Sequence, residues 1–156
     1  MMSEIIENLI KDTEKFQLEN EVLFNFDDFN CVSLRMHRQY GHSTAIRKFI
    51  KNNIEKSKKN KKAKDKIVVV VANHAMKINF IGSLQKELQQ ASFDNVSVIT
   101  SNESATRLRG IDCKYVFVDT ASYIGENKIK EIKNTIHPIA SCRKSAGKTF
   151  VCCFLG

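Results

Sequence analysis

Residues 36–44, MHRQYGHST, close an apolar run and open what reads as a helix. A phosphate-binding loop needs a glycine for a sharp turn and backbone N–H groups pointing inward. It also needs a helix N-terminus behind the phosphates and a hydroxyl for Mg²⁺. Gly41 supplies the turn and Ser43 or Thr44 the hydroxyl. Two parts of the G-x-x-x-x-G-K-[ST] pattern are missing: Met36 stands for the first glycine and His42 for the lysine. The pattern fails as a motif and succeeds as an order of parts. Taken alone, the stretch is either a nucleotide site or an ordinary helix N-cap.

A second loop follows KYVFVD, residues 114–119, an apolar run ending in Asp119. That is the form of a Walker B element, whose carboxylate serves Mg²⁺. The next position, where a glutamate would polarise the attacking water, holds Thr120. A literal Gly-Lys-Thr at residues 147–149 has the right letters in the wrong place. A strand follows it, so no helix N-terminus faces a bound phosphate, and we read it as a turn. His37, His42, His74 and His137 are scattered, with no pair at helix-face ligand spacing. The five cysteines form no C-x-x-C pair, which speaks against a structural metal site. Cys31, Cys113, Cys152 and Cys153 lie in or beside strand-like runs and are expected to be reduced thiols of the core.

A net charge of +8 suggests a polyanion partner until it is located. Residues 56–66, KSKKNKKAKDK, hold seven lysines and one aspartate and so contribute +6 of it. The basicity is a local tract, with Lys58, Lys59, Lys61 and Lys62 at its centre. It is either a nucleic-acid contact, strongly salt-dependent, or a solvated surface loop. No aromatic residue interleaves with the lysines, so base stacking finds no support. The N-terminus is acidic and amphipathic, unlike a signal peptide, and no apolar stretch approaches the roughly 20 residues that span a bilayer. The expectation is a soluble cytoplasmic protein without membrane contact.

The elements that must position these loops follow from periodicity. Residues 3–18 form an N-terminal helix with Ser3 as N-cap and Ile5, Ile6, Leu9 and Ile10 on one face. Strands are expected at 30–36, 66–72, 96–100, 114–119 and 148–155. Helices are expected at 43–56, across AMKINFIGSLQKELQQASF and at 126–136, with Pro138 just beyond the last. In the second of these, Met76, Phe80, Leu84 and Leu88 recur at fourfold spacing. The lysine tract, 56–66, reads as a mobile loop or frayed helix end. Unbroken valines at 68–71 require burial on both faces, as in a central parallel strand. The 156 residues therefore predict one α/β domain, three layers around a mainly parallel sheet. Ligands on such sheets bind at the carboxyl ends of the strands, where both loops fall.

The order of these parts resembles the ATPase domain of tailed-bacteriophage large terminases, which are RecA-like P-loop DNA-packaging motors. HRQYGHST is similar to their deviant phosphate loop, and RLRGIDCKYVFVDTASYI to the Arg-Gly segment running into Walker B. IHPIASCRKSAGKTFVCCFLG resembles the helix, basic turn and strand leading to their coupling motif. The resemblance implies ATP and Mg²⁺ as cofactors, with DNA and phage packaging proteins as partners. It implies Arg38 as an arginine reaching the phosphates in cis and residues 41–44 (Gly41, His42, Ser43, Thr44) as the cradle. Ser43 and Asp119 would serve Mg²⁺, Arg109-Gly110 would be the turn into the strand that ends at Asp119, and Gln17 would read adenine. Four departures stand beside it: His42 for lysine, Thr120 for glutamate, Cys152-Cys153-Phe154 for the Ser/Thr-rich coupling stretch, and no counterpart of the nuclease domain. Two expectations follow. One is a nucleotide-binding domain with weak or conditional ATP hydrolysis linked to nucleic acid. The other is a catalytically inactive interaction protein that keeps the fold and binds a packaging component or DNA without ATP.

Overall fold

Each strand of the sheet is short and largely apolar, and helix lies between each strand and the next along the chain. The computed structural model describes residues 2–20, 29–35, 41–90 and 93–156. Its strands are β1 (Cys31–Leu34), β2 (Ile67–Val71), β3 (Val96–Thr100), β4 (Tyr115–Val118) and β5 (Val151–Leu155). Its helices are α1 (Met2–Glu19), α2 (His42–Lys59), α3 (His74–Leu88), the single-turn α4 (Ser104–Arg107) and α5 (Glu126–Ser145). The strands pair in the order β1-β5-β4-β2-β3, every pairing parallel. The three-layer α/β architecture with a parallel central sheet is thus present, as expected of a RecA-like fold.

The alternation along β2 shows why its valines are unbroken. Ile67, Val69 and Val71 face a core shared with α1, α2 and α3, including Ile6, Ile10, Ile46, Ile50, Phe80 and Leu84. Val68 and Val70 face a second core with Leu108, Ile132, Ile136 and Ile139, on the side of α5. A central parallel strand has no solvent face, so period-two patterning is absent from its sequence. The fourfold series of α3 behaves as expected: Phe80 and Leu84 are buried, with Met76 and Leu88 packed at the margin.

Two helices outrun their expected ends. α2 continues through the first lysines to Lys59, where expectation had a mobile loop or frayed end. It closes with the Lys62 N–H donating to the Ser57 carbonyl at 3.1 Å and Lys61 left-handed at φ 52°. This is a Schellman-type stop with lysine in the position usually given to glycine. α5 runs through Pro138 to Ser145, correcting the expected stop at residue 136. Proline lacks only its own N–H, and on the helix's outer side the uncovered carbonyl can face water. Two short elements carried no periodic signal, α4 and a 3₁₀ turn over Ala121–Tyr123.

Candidate functional site

Gly41 stands at φ 77°, a left-handed turn that glycine adopts without the Cβ penalty, and α2 begins at the next residue. Gly41 has no side chain to cap that helix end, and among the described residues its first N–H groups are left for other acceptors. Phe49, two turns along, packs edge-on against Tyr115 and Phe117 of β4, ring centres 5.0 and 5.2 Å apart. That contact lays α2 across the sheet. It brings the first turn of α2 over the end of β4, although β5 separates β4 from β1.

The result is a direct bond between the two loops: the Ser43 hydroxyl donates to Oδ2 of Asp119. Asp119 is 2 % exposed, its N–H donates to the Val70 carbonyl at 2.9 Å, and its Oδ1 has no hydrogen-bond partner among the described residues. Burial pushes its carboxyl pKa up, against the Ser43 hydrogen bond, the Thr120 N–H and the nearby His42 and Arg47 charges. It lies at a point where the sheet changes hands. The helix after β2 goes to one face and the helix after β4 to the other. Crevices at such points are the usual ligand sites of parallel sheets.

Around this pair lie further polar atoms that the protein leaves unused. His42 is 3 % exposed, and among the described residues neither its buried Nε2 nor Oγ1 of Thr120 has a hydrogen-bond partner. Thr120 is left-handed at φ 52°, an outlier for a β-branched residue that costs about 1–3 kcal/mol. Gly156 completes the floor: its N–H donates to the Leu34 carbonyl and its carbonyl accepts from the Ser122 N–H, at 2.9 and 3.0 Å. A Cβ on Gly156 would come within 3.2 Å of the Thr120 Cα, so the end of β5 and the turn after β4 are held in close contact.

No protein-family model matches the chain, and a search of curated proteins finds no significant match.

Of the residues singled out from sequence, Gly41, His42, Ser43 and Asp119 are brought together. Between the two candidate hydroxyls the structure selects Ser43, because Thr44 is exposed and its Oγ1 accepts from Arg47 Nη2 at 3.2 Å. Arg38 lies outside the described residues. Gln17 is not brought to the cluster. Its side chain donates to the Phe29 and Phe150 carbonyls at 2.9 and 2.7 Å and accepts from the Phe150 N–H at 3.0 Å. Those groups precede β1 and β5, so Gln17 clamps the amino edge of the sheet, opposite Asp119. Lys58, Lys59, Lys61 and Lys62 also lie at that far edge, with Lys58 about 23 Å along α2 from Ser43. Residues 145–150 form the expected turn, with Gly147 at φ 71° before β5.

Sequence reasoning missed Arg47, whose side chain is 14 % exposed and pairs with Glu87 at 2.8 Å. Its guanidinium lies 5.7 Å from the Phe80 ring centre and fixes the side of α2 that faces α3. An arginine one turn into a helix looks like any solvated charge until the neighbouring helix is known. Among the described residues no group of three or more His, Cys, Asp or Glu side chains is placed to hold a metal. Mg²⁺ at nucleotide sites asks less, using one or two protein oxygens with phosphate and water for the rest. Ser43 Oγ and Asp119, with its spare Oδ1, fit that donor set. No helix among the described residues is long and apolar enough to cross a membrane.

Proposed function

We propose that this chain is a P-loop-type domain that binds Mg²⁺–nucleotide, with weak or conditional ATP hydrolysis, related to the packaging-motor ATPases it resembles. The observation that carries the reading is the Ser43–Asp119 hydrogen bond at the uncapped start of α2. A hydroxyl and a carboxylate from separate loops meet where a helix N-terminus offers free N–H groups. That convergence suits a phosphate with its cation better than it suits a helix cap. The orphaned Oδ1 of Asp119 and Nε2 of His42 add unused hydrogen-bonding capacity at the same place. In this reading the backbone N–H groups after Gly41 hold phosphate oxygens, while Ser43 and Asp119 hold the Mg²⁺. The cation would neutralise charge on the β- and γ-phosphates. Arg38 belongs to the proposal through the resemblance alone.

Turnover is expected to be slow. Thr120 cannot act as the general base, and a missing base costs about 10²–10⁴ in rate. His42 offers an imidazole where an ammonium would reach the phosphates. One observation favours the second reading, an interaction protein that does not use ATP: His42 is packed away at 3 % exposure instead of reaching outward. Calorimetric titration with a non-hydrolysable ATP analogue, with and without Mg²⁺, separates the two. Micromolar, Mg²⁺-dependent binding that Ser43→Ala and Asp119→Ala each abolish supports the nucleotide site. No heat at millimolar nucleotide leaves the interaction protein, for which DNA and packaging proteins are the partners to test.

A further inference from the structure

The two faces of the sheet are unequally covered. Among the described residues, α1, α2 and α3 pack on one face, whereas the other has the long α5 and the single turn of α4. Between α5 and residues 105–112 an open groove of about 860 Å³ remains, at the upper end of the 300–1,000 Å³ usual for binding clefts. One wall is an exposed fourfold ridge of α5: Lys130, Asn134, Pro138, Cys142 and Ala146. Beyond Lys130 this ridge carries no charge, unusual for an exposed helical stripe in a chain with 27 % charged residues. Ile111 and Ile139 contribute apolar surface beside it. Pro138 has no N–H, so the Asn134 carbonyl lacks its α-helical donor and is left as an acceptor on this wall.

The charges around the groove are unbalanced. Its two carboxylates are already engaged, Asp112 with Arg143 at 2.9 Å and Glu131 with Lys128 at 3.1 Å. Arg109, Lys130 and Lys148 are exposed and have no ion pair among the described residues. We propose that this groove docks an acidic, partly apolar peptide segment of a partner protein. Apolar side chains would fill the space along the Pro138–Cys142 ridge, and carboxylates would meet the three cations, as in helix-in-groove recognition. A nucleic-acid strand fits less well, since no aromatic ring lines the groove for bases to stack on. The proposal is independent of the nucleotide site, which lies at the carboxyl edge near α2.

The test uses the full chain and a fluorescein-labelled amphipathic peptide, with leucine at i, i+3, i+4 and i+7 and glutamate on the remaining face. Anisotropy should give saturable binding that the pair Lys130→Glu with Lys148→Glu weakens about tenfold. Lys58→Glu with Lys61→Glu, at the end of α2 on the opposite face of the sheet, should leave it unchanged. Cys142 is the one cysteine classed as exposed, so its alkylation by a maleimide should slow when peptide is bound. A polyglutamate peptide of equal charge should bind more weakly, because it cannot fill the apolar ridge. The proposal is overturned if the amphipathic peptide shows no binding, if the Lys130 and Lys148 reversals have no effect, or if polyglutamate binds equally well. It is also overturned if a single-stranded oligonucleotide binds more tightly and is lost on the same reversals.

Discussion

Asp119 has the environment of a group kept for a ligand. A carboxyl that is 2 % exposed, with one oxygen held by Ser43 and the other without a partner among the described residues, is poorly solvated when ionised. Its pKa is raised on folding, so the folded state holds this proton more tightly than the unfolded chain. The stability from that protonated form is complete below the ordinary aspartate range and is lost as pH rises through the raised pKa. Asp119→Asn keeps an acceptor for Ser43 and removes the charge. The variant is therefore expected to melt about 2–4 °C higher than the wild type at neutral pH, corresponding to roughly 1 kcal/mol. The gap should close in acid, and Mg²⁺-dependent nucleotide binding should be lost at every pH. Thermal melts across pH, paired with calorimetry, check both halves. Equal melting temperatures at pH 7 would remove the argument that Asp119 is a strained, ligand-seeking carboxylate. Thr120 belongs to the same pattern, since its left-handed backbone and unpaired hydroxyl give up stability at a candidate site.

At the scale of elements, α2 links the molecule's two charged features. Its first turn meets Asp119, its middle rests on β4 through Phe49, and its last turn carries Lys56, Lys58 and Lys59. Lysine is a good helix former, and cations near a helix C-terminus complement its dipole. Mutual repulsion therefore does not prevent the helix from reaching Lys59, and of the tract expected as a mobile loop or frayed helix end only residues 60–66 lie outside the helix. The stop itself is strained, because Lys61 holds the left-handed position where glycine is preferred. Lys61→Gly is expected to stabilise the fold by about 1 kcal/mol in urea denaturation, the size of the left-handed penalty for a side chain less the entropy glycine adds to the unfolded chain. A destabilised variant would mean that the lysine side chain makes a contact worth more than the strain. The misread end of α5 has a different origin. Pro138 ends a helix by rule only where its neighbours need the missing hydrogen bond, and here it is exposed on the groove side.

Over the whole molecule, the parallel sheet separates two edges. The carboxyl edge gathers Gly41, Ser43, Asp119, Thr120 and Gly156; the amino edge gathers Gln17 and the lysine tract. If the lysines hold DNA, the contact is electrostatic and distant from the nucleotide. Affinity for a DNA duplex should then fall steeply with salt, and Lys58→Glu with Lys61→Glu should weaken it and flatten the salt dependence. Saturating Mg²⁺–nucleotide should change the DNA dissociation constant by no more than about twofold, well short of the 5–150-fold typical of coupled sites. Anisotropy titrations at several salt concentrations measure all three. A large nucleotide effect would show that α2, or a segment beyond the described residues, couples the two edges.

By itself the sequence determined the class of fold. The valines of β2, the aspartate-terminated run of β4 and the fourfold series of α3 are local patterns, and burial on two faces leaves a mark that can be read one element at a time. It also determined which loops to inspect, because strands followed by helices place their loops on one edge of a parallel sheet. Strand order is not local, and neither is anything that depends on it. Nothing in residues 41–44 or 114–119 says that β5 lies between β1 and β4, or that Phe49 carries α2 across that gap so that Ser43, not Thr44, meets Asp119. Nothing in Gln17 says that its amide is spent on the backbone of Phe29 and Phe150, which are remote from it along the chain. The groove beside α5 is likewise a space left by helices that do not cover it, and a chain's residues do not spell out an absent neighbour. These features were decided by packing between distant elements, whose contacts exist only once the sheet has closed.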